Sequence, residues 1–365
     1  MDLRAVRAEL PVLERYAYLN AGTNGPLPRR TVDAMLASLR EDLEAGRSSG
    51  PYFEAMLARR DALRAALAGV LGARTEEIAL TNSTTEGCNV VLNGLSIGNG
   101  DEVVTTDSEH PGLFGGLVAS GVGIRAVEIR DRPAAAALEA LEAAITPRTK
   151  LIAISHVSWL TGAVLPVREL ANRGVPLLLD GAQAAGAFPV DVHELGCDFY
   201  TVSAQKWLLG PEVTGALYVT PDRVDELRMA MPSYASWDFE EGYTYKVREG
   251  AARFDPGWIP AAAGEGLLAS LAFAEDAGSE RFEHATGISQ LLRRRLEEAG
   301  YDVITEPDQS TLVTWKAKGD SKAVVERLQA AGVIVRDLPG LGWVRASCGF
   351  WTSEEDLERL VAALD

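Results

Sequence analysis

Cysteine is scarce in this chain of 365 residues. The three cysteines, Cys88, Cys197 and Cys348, lie far apart and form no CxxC pair. A small disulfide-bonded fold is therefore excluded, because such folds need a framework of closely spaced cysteines. This usage of cysteine is typical of proteins that fold in a reducing compartment.

Long apolar runs and excess basic charge are also lacking. The longest runs, such as VPLLL at 175–179, fall far short of the ~20 residues that a membrane-spanning helix requires. Residues 1–16 lack the uninterrupted apolar core of a signal peptide. Lysine and arginine total 35 against 52 aspartates and glutamates, a net charge of −17, which argues against nucleic-acid and acidic-membrane partners. We expect a cytoplasmic protein that binds neither nucleic acid nor membrane.

What the chain does contain is a regular alternation of short apolar runs with amphipathic helical patterns. Helical spacing of apolar residues occurs at 32–43 and 63–71, and Gly72 ends the second pattern. Runs such as LIAIS and PLLLD are almost continuously apolar, which indicates strands buried on both faces. The predicted fold class is α/β, with a mostly parallel sheet of seven strands at 78–81, 102–105, 124–129, 151–155, 176–180, 199–203 and 215–219.

The pattern changes near residue 260. A helix-rich stretch is followed by a strand at 310–316, a helix at 321–332 and the strands VIVR and GWVRAS. The last helix is predicted to begin at Thr352, with Glu355 in capping-box spacing. A chain of this length suggests about two domains. We expect a large domain over 18–260 and a small α+β domain over 261–365, with residues 1–17 packing against the latter.

Polar side chains follow four of the predicted strands, at the edge where open parallel sheets bind ligands. Asp180 ends one strand and Lys206 follows another; Thr84 and Thr85 open a helix after a third, and His110 follows a fourth. These are the parts that a pyridoxal phosphate (PLP) site needs: an amine, an acid for the pyridine nitrogen, a phosphate seat and a flat face over the ring.

Each of these residues also has a simpler structural interpretation. An acid at a strand end is most often a solvated turn or a helix cap, and the Ser83-Thr84-Thr85 run could simply cap a helix. His110 precedes a proline and could be a turn residue. A buried lysine such as Lys206 is costly unless it is paired or used covalently. The PLP interpretation therefore depends on the combination of residues.

The sequence around these residues resembles that of a known group of enzymes. Residues 180–219, DGAQAAGAFPVDVHELGCDFYTVSAQKWLLGPEVTGALYV, resemble the cofactor-lysine region of the class V aminotransferase group of fold-type I PLP enzymes. This group contains cysteine desulfurases, isopenicillin N epimerase and cystine C–S lyases. The segments TTDSEHPG (105–112) and SHVSWLTGAVLPV (155–167) most resemble the L-cysteine/cystine C–S lyase branch. Further similarity at 18–28, 81–91, 253–260 and 344–361 extends the resemblance over nearly the whole chain.

The resemblance implies a role for each matching residue. Lys206 would form the Schiff base with PLP and then transfer the substrate proton, while Asp180 would pair with the pyridinium nitrogen. Gln183 would hydrogen-bond the phenolic oxygen, and His110 would stack on the ring. The other implied contacts are Thr84, Thr85, Ser203 and Gln205 with the cofactor, and Arg345, Asn20, Trp159 and Trp258 with the substrate.

Arg345 would clamp the substrate α-carboxylate through its bidentate geometry, the alternative being a surface ion pair.

Three positions depart from the pattern of the group. Gln205 stands where most members have histidine before the lysine. Trp258 replaces a threonine that reaches the phosphate of the neighbouring subunit, and Trp159 replaces an asparagine that often contacts substrate. Two tryptophans suggest a bulkier, more apolar pocket, although tryptophan is more often part of the core.

A desulfurase also needs a nucleophilic cysteine on a mobile loop ahead of the carboxylate-binding arginine. Residues 306–344 contain no cysteine. Cys348 comes three residues after Arg345, so strand alternation points it to the opposite face, where we expect a small buried hydrophobe. Cys88 and Cys197 are likewise expected to be structural. A persulfide-forming desulfurase is therefore disfavoured.

The sequence thus predicts a PLP-dependent C–S β-lyase. It would convert cysteine, cystine or an S-substituted cysteine to pyruvate, ammonia and a sulfur product. An epimerase or an aminotransferase is the alternative, because these differ only in the fate of the same carbanion. A non-catalytic PLP-binding protein is less favoured, since Lys206 and Asp180 are both intact. The resemblance also implies a homodimer, and no metal site is expected.

Overall fold

The computed structural model describes residues 1–240 and 244–364. Its strands are β1 (Ala17–Tyr18), β2 (Ile78–Thr81), β3 (Glu102–Thr106), β4 (Gly123–Val127), β5 (Thr149–Ser155), β6 (Leu177–Asp180), β7 (Phe199–Ser203), β8 (Gly215–Val219), β9 (Trp237–Glu240), β10 (Thr244–Val247), β11 (Leu312–Lys316), β12 (Val333–Ile334), β13 (Arg336–Leu338) and β14 (Trp343–Ser347). Its α-helices are α1 (Leu3–Ala8), α2 (Arg29–Ala45), α3 (Gly50–Leu71), α4 (Thr84–Gly94), α5 (Pro111–Ser120), α6 (Ala134–Ala144), α7 (Val167–Ala171), α8 (Val192–Leu195), α9 (Pro221–Val224), α10 (Ala261–Asp276), α11 (Glu280–Glu298), α12 (Ser321–Ala330) and α13 (Glu354–Leu364).

A seven-stranded sheet in the order β2-β8-β7-β6-β5-β3-β4 forms the centre of the molecule. Strand β8 runs antiparallel to both of its neighbours, and the other pairs are parallel. The predicted α/β class and the seven predicted strands are confirmed, with small shifts at the ends: β4 occupies 123–127 rather than 124–129. Because β8 alone is reversed, the carboxyl ends of β2, β3, β5, β6 and β7 meet at one edge.

The inner strands are buried on both faces, which explains their unbroken apolar runs. Along β5, Ile152 and Ile154 join the apolar cluster that contains residues of α3 and α6, whereas Leu151 and Ala153 join the cluster that contains residues of α4 and α5. Burying such a side chain fully stabilises the fold by roughly 1.5–3 kcal/mol. Packing on both faces therefore fixes the register of the strands whose ends carry the site.

Helix α2 departs from a simple amphipathic interpretation. Its apolar row of Val32, Leu36, Leu39 and Leu43 is exposed, at 39%, 44%, 54% and 84%. The helix packs against α10 through another side, on which Thr31 and Ser38 are buried. The apolar periodicity at 32–43 therefore marks a helix correctly but not the face that is buried within the chain.

A second, three-stranded sheet has the order β11-β14-β13 and packs with α11, α12 and α13 around its own apolar cluster. The cap of α13 is one residue later than predicted: Ser353 and Asp356 exchange the capping hydrogen bonds, not Thr352 and Glu355. Thr352 is buried instead, and its hydroxyl accepts from Gly349.

The N-terminal segment contacts this same region. Strand β1 pairs in parallel with β12, and Arg7 forms an ion pair of 2.6 Å with Asp356. The division into domains at residue 260 stays a prediction. Among the described residues, no helix is both long and apolar enough to cross a membrane.

Candidate active site at the carboxyl edge of the sheet

A cavity of about 230 Å³ opens at the edge where the strands end. The four strands that the sequence singled out, β2, β3, β6 and β7, all deliver polar side chains to it, and Ser155 of β5 and Arg336 of β13 also line it. Its wall includes nine of the predicted site residues, namely Thr84, Thr85, His110, Trp159, Asp180, Gln183, Ser203, Gln205 and Lys206. The predicted Arg345 lies just beneath the wall, whereas Asn20 and Trp258 do not line the cavity.

Asp180 and Lys206 face the same cavity from neighbouring strands. Asp180 ends β6, is 5% exposed, and accepts a hydrogen bond of 2.9 Å from the Ala182 amide. Burial raises the pKa of its carboxyl, and the nearby Lys206 opposes that rise. Burial lowers the pKa of the Lys206 amine to about 8, against the attraction of Asp180. The site thus pairs a buried acid with an amine that loses its proton readily.

The N-terminus of α4 forms a polar seat beside them. Ser83 caps this helix by accepting from the Glu86 amide at 3.1 Å. The Ser203 hydroxyl at the end of β7 accepts from the Thr84 amide at 2.9 Å and lies 2.8 Å from the Thr84 hydroxyl. A helix N-terminus with hydroxyls around it favours an anion such as a phosphate.

Gly112 leaves room for the second threonine of this seat. A Cβ atom at residue 112 would lie 2.3 Å from the Thr85 hydroxyl oxygen, closer than atoms can approach. The glycine therefore lets the start of α5 close over the start of α4.

His110 caps α5 and forms one side of the cavity. Its Nδ1 accepts from the Gly112 amide at 3.0 Å, which leaves the proton of the neutral ring on Nε2. Burial, helped by the positive charges of Lys206 and Arg336, lowers the pKa of His110 to about 4. The ring also meets Trp159 edge to face, with centroids 5.4 Å apart. A neutral, immobilised imidazole is suited to cover a flat ring.

Gln183 is fixed from both ends of its amide. Its Nε2 donates to the Gly22 carbonyl at 2.9 Å, and its Oε1 accepts from the Trp207 indole at 3.0 Å. The Gln183 NH₂ group has two N–H donors, and the bond to Gly22 uses only one of them. Gly22 itself is tightly enclosed: a Cβ there would lie 2.8 Å from Arg345 Nη2 and 2.8 Å from the Ser347 hydroxyl.

Arg345 is fully buried on β14. Its Nη1 donates to the Trp159 carbonyl at 2.8 Å, while Nε and Nη2 have no partner among the described residues. Burial, followed by the charge of Arg336, lowers its pKa to about 9. Arg345 therefore does not form the surface ion pair considered from the sequence. Its two buried nitrogens Nε and Nη2 have N–H groups without an acceptor among the described residues.

Arg336 lines the cavity but was not identified from the sequence. It lies directly across from Arg345 in the pairing of β13 with β14. Its Nη1 donates to the Thr23 hydroxyl at 3.2 Å, and its guanidinium lies 5.5 Å from the Trp159 ring centroid. The only signal in the sequence was an arginine ending the strand VIVR, next to the strand that carries Arg345.

Two predicted substrate contacts lie elsewhere. Asn20 is half-buried and accepts from the Thr23 hydroxyl at 2.9 Å, so it supports the turn beside the cavity. Trp258 is 57% exposed and lies in a separate groove with Leu39, Tyr52 and Asn82. Trp258 therefore does not line the cavity of its own chain, and its contact with substrate stays a prediction.

The residues present fit PLP. A lysine, a buried acid and an anion seat surround one cavity, and polar atoms without partners remain in and around its wall. These are Gln205 Oε1, Trp159 Nε1, the Ser347 hydroxyl and the two Arg345 nitrogens, counted over the described residues. Buried polar groups are rarely left unpaired, so the arrangement indicates a polar, anionic occupant.

The chain is similar to known proteins over nearly its whole length. A family model described as aminotransferase class V matches residues 17–360. A probable cysteine desulfurase of Methanothermobacter thermautotrophicus is 28% identical over an alignment of 395 positions, gaps included, which covers 100% of this chain and 98% of the relative. Isopenicillin N epimerase of Streptomyces clavuligerus is also 28% identical, over 95% of this chain and 94% of the relative.

Two solved structures of one protein, C-DES, are similar to the fold described above. One is a complex of the cystine C–S lyase C-DES with its reaction product cysteine persulfide; it has a TM-score of 0.92, 29% identity, and coverage of 97% of this chain and 98% of that chain. The other is a C-DES variant with glycine covalently linked to its PLP cofactor, with a TM-score of 0.93, 29% identity, and coverage of 98% of both chains.

Proposed function

The chain belongs to the class V aminotransferase family, and from that premise we propose that it is a PLP-dependent C–S β-lyase. It would cleave the bond between Cβ and sulfur of a cysteine-type amino acid, giving pyruvate, ammonia and a sulfur product. The observation that carries the proposal is the make-up of the site: among the described residues, its wall combines Lys206, Asp180 and Arg336 above Arg345, and includes no cysteine.

Pyridoxal 5′-phosphate is the cofactor. When bound, it supplies an electron sink for the negative charge that develops at the substrate Cα. In our proposal Lys206 holds its aldehyde carbon, Asp180 its pyridine nitrogen and Gln183 its phenolic oxygen. The N-terminus of α4, with Thr84, Thr85 and Ser203, holds the phosphate, and His110 covers the ring.

Lys206 would be released when the substrate amine takes its place, and its free amine would then move the proton. Because burial lowers the pKa of its amine to about 8, a useful fraction is neutral near physiological pH and can take the proton from Cα at Nζ. The sulfur leaves Cβ as a thiolate or a persulfide. Both are good leaving groups, so no separate acid is required. Water then releases the remaining three carbons as pyruvate, with ammonia.

The three cysteines support elimination over desulfuration. Cys88, Cys197 and Cys348 are all buried, at 0%, 3% and 0% exposure. Burial raises the pKa of each thiol, so none is a ready thiolate nucleophile. A desulfurase must carry sulfur on an accessible thiolate, which the described residues do not offer.

The pair of arginines favours a substrate with two carboxylates. Arg345 has two unpartnered donors for the α-carboxylate, and Arg336 adds a second guanidinium on the wall. Cystine carries a carboxylate at each end of its disulfide. Its cleavage with one water would give pyruvate, ammonia and cysteine persulfide. We therefore propose cystine as the preferred substrate over cysteine and S-substituted cysteines.

The test uses purified protein loaded with PLP. Cystine, cysteine and S-methylcysteine are supplied in turn, and pyruvate is followed together with sulfide and persulfide. We expect pyruvate from cystine at a rate well above that from S-methylcysteine, with persulfide in equal amount. Failure to form pyruvate from any of the three would overturn the lyase assignment.

The alternative of epimerisation or transamination is separated in the same samples. Epimerisation in deuterated water would place deuterium at Cα and keep the β-substituent. Transamination would require a keto-acid acceptor and would return the amino group on it. We expect the β-substituent to be lost without an acceptor.

We also propose a homodimer. The exposed apolar row of α2 supports this, because soluble monomers rarely leave a large contiguous apolar surface uncovered. Trp258 shares a groove with Leu39 of that row, so a second copy seated there would also cover the tryptophan. Localisation in the cytoplasm stays a prediction.

A further inference from the structure

Glu109 is a carboxylate beside the cavity that the proposed reaction does not use. Its two oxygens accept three hydrogen bonds. Oε1 accepts from the Thr106 hydroxyl at 2.6 Å, and Oε2 accepts from the Ser155 amide at 2.9 Å and the Ser155 hydroxyl at 2.6 Å. Burial raises its pKa to about 7, against the lowering effect of these donors.

The carboxylate joins two strand ends. Thr106 ends β3 and Ser155 ends β5. Backbone pairing between these strands involves Glu102–Val104 of β3 and 149–152 of β5, so it stops before either end. The side chain of Glu109 therefore supplies the connection across the gap.

Both sides of this connection reach the cavity. Ser155 is part of the cavity wall and lies directly across from Asp180 in the pairing of β5 with β6. Because the Ser155 hydroxyl donates to Glu109, its oxygen remains an acceptor at the wall. On the other side, Glu109 immediately precedes His110, whose ring forms a wall of the same cavity. The Glu109 carboxylate thus links the position of the His110 imidazole to that of Asp180, the acid proposed to pair with the pyridine nitrogen.

We propose that Glu109 is a positioning residue that sets how the PLP ring is held between His110 and the Ser155–Asp180 side of the cavity. The role rests on the proposed function only through the cofactor, not through the lyase reaction. A carboxylate is suited to this task because each oxygen can accept separately, whereas an amide offers one accepting oxygen.

Glu109→Gln is the direct test, carried out near pH 8 so that Glu109 is ionised in the wild type. PLP is titrated into apo protein while visible absorbance and visible circular dichroism are recorded. We expect the Kd for PLP to rise about tenfold, as when a hydrogen bond to a charged group is lost, and the induced dichroism of the bound cofactor to fall. A role in fold stability alone would not change the dichroism of the bound molecules.

Glu102→Gln is the matched control. Glu102 lies at the other end of β3 and also accepts from a hydroxyl, that of Thr146, at 2.6 Å, and from Arg148. We expect its removal to lower the melting temperature and to leave the dichroism unchanged.

Ser155→Ala is the second variant, for use if Glu109→Gln does not fold. It removes one of the three bonds and should lower the dichroism in the same direction. Unchanged PLP affinity and dichroism in Glu109→Gln, or unchanged dichroism in Ser155→Ala, would overturn the proposal. Neither measurement needs turnover, so a failure of the lyase assignment would be seen separately, as missing pyruvate.

Discussion

At the scale of single residues, our proposal implies that the charge on Lys206 governs how the cofactor is captured. Its pKa of about 8 results from burial, assisted by Arg345 and Arg336 and opposed by Asp180. Only the neutral amine attacks an aldehyde. We expect the rate of PLP capture by apo protein to rise about tenfold per pH unit below about pH 8 and to level off above it.

Stopped-flow absorbance measures this rate. Lys206→Ala is the control and should give no visible band from covalently held PLP. A capture rate that does not change between about pH 6 and about pH 8 would contradict the lowered pKa of Lys206 as its cause.

Arg336 should distinguish substrates with two carboxylates from those with one. Arg336→Met removes the second guanidinium, so we expect the KM for cystine to rise about 10- to 100-fold, as for a lost charge-assisted contact. The KM for S-methylcysteine should change little. Arg345→Met should raise KM for both, because every amino-acid substrate has an α-carboxylate. Equal effects of Arg336→Met on both substrates would assign Arg336 to another task.

The two arginines also show how far local sequence could lead. The sequence around Lys206 and Asp180 was enough to identify both residues, because Asp180 ends one buried strand and Lys206 lies shortly after another. Arg336 acquires its position only through the pairing of β13 with β14, which no short motif encodes. Trp258 was assigned by resemblance alone, and it lies outside the cavity of its own chain.

At the scale of elements, the site loop of residues 156–165 is held by hydroxyl groups from the region of the second sheet. Thr305 Oγ1 donates to the Thr161 carbonyl at 2.7 Å, and Thr314 Oγ1 donates to the Leu160 carbonyl at 2.7 Å. The next carbonyl, of Trp159, is the one that Arg345 contacts. The loop therefore orients the arginine that would bind the substrate carboxylate.

Thr314→Val should show that the orientation of Arg345 depends on this loop. Leaving the buried Leu160 carbonyl unpaired should cost about 1–3 kcal/mol in the free energy of unfolding. The KM for cystine should rise while the Kd for PLP stays the same, because the cofactor residues lie on other elements. Steady-state kinetics measure the KM for cystine, and PLP titration measures the Kd for PLP.

Thr311→Val is a close control for that substitution. Thr311 is 1% exposed, and its hydroxyl has no partner among the described residues. We expect its loss to leave both stability and KM near the wild-type values. A similar rise of KM in both variants would point to a general disturbance of β11.

Asp255 connects two other segments, α3 and β2. It is fully buried, forms ion pairs with Arg60 at 2.9 Å and Arg64 at 2.8 Å, and accepts from the Leu80 amide at 2.8 Å. Removing one partner of a buried ionic cluster leaves uncompensated charge, so Asp255→Asn should lower the free energy of unfolding by about 3–5 kcal/mol.

Urea unfolding of the apo protein measures this loss. Glu265→Gln, which breaks the more exposed pair with Arg59, is the control and should cost less than about 1 kcal/mol. Similar losses in the two variants would mean that the buried cluster contributes no more than a surface pair.

The elements themselves were largely predictable, and the exceptions have physical causes. Strands such as β5 and β6 could be located because burial on both faces gives an unbroken apolar run. The packed face of α2 could not, because Met35 meets Gly266 of α10 beside the buried Thr31 and Ser38, while Val32, Leu36, Leu39 and Leu43 stay exposed. The cap of α13 was placed one residue early, since Thr352 and Ser353 both have the right chemistry and only the backbone decides between them.

At the scale of the whole molecule, the exposed row on α2 makes assembly testable. If a second copy covers it, Leu39→Glu combined with Leu43→Glu should weaken the dimer, because two carboxylates would be buried without partners. Light scattering after size exclusion would then report a monomer. Val118→Glu, at another exposed apolar position on α5, should leave the mass unchanged.

The molecule has a net charge of −17, yet positive charge is concentrated at one place in it. The anionic cofactor and, in our proposal, a substrate with two carboxylates would have to approach an acidic protein. Lys206, Arg336 and Arg345 concentrate positive charge at one cavity, and the α4 N-terminus adds its partial charge there. Attraction at the site is therefore local and opposes the field of the molecule as a whole.

The hydrogen bond between Arg336 and Thr23 spans 313 residues of the chain. Both residues line the cavity, so the ribosome must have made all of the intervening polypeptide before the pocket is complete. Contacts this distant in sequence form late, because the loop that they close is long. A nascent chain would therefore lack a complete pocket, and loading with PLP would follow translation. The yellow colour of the bound cofactor would then mark molecules whose synthesis and folding are both finished.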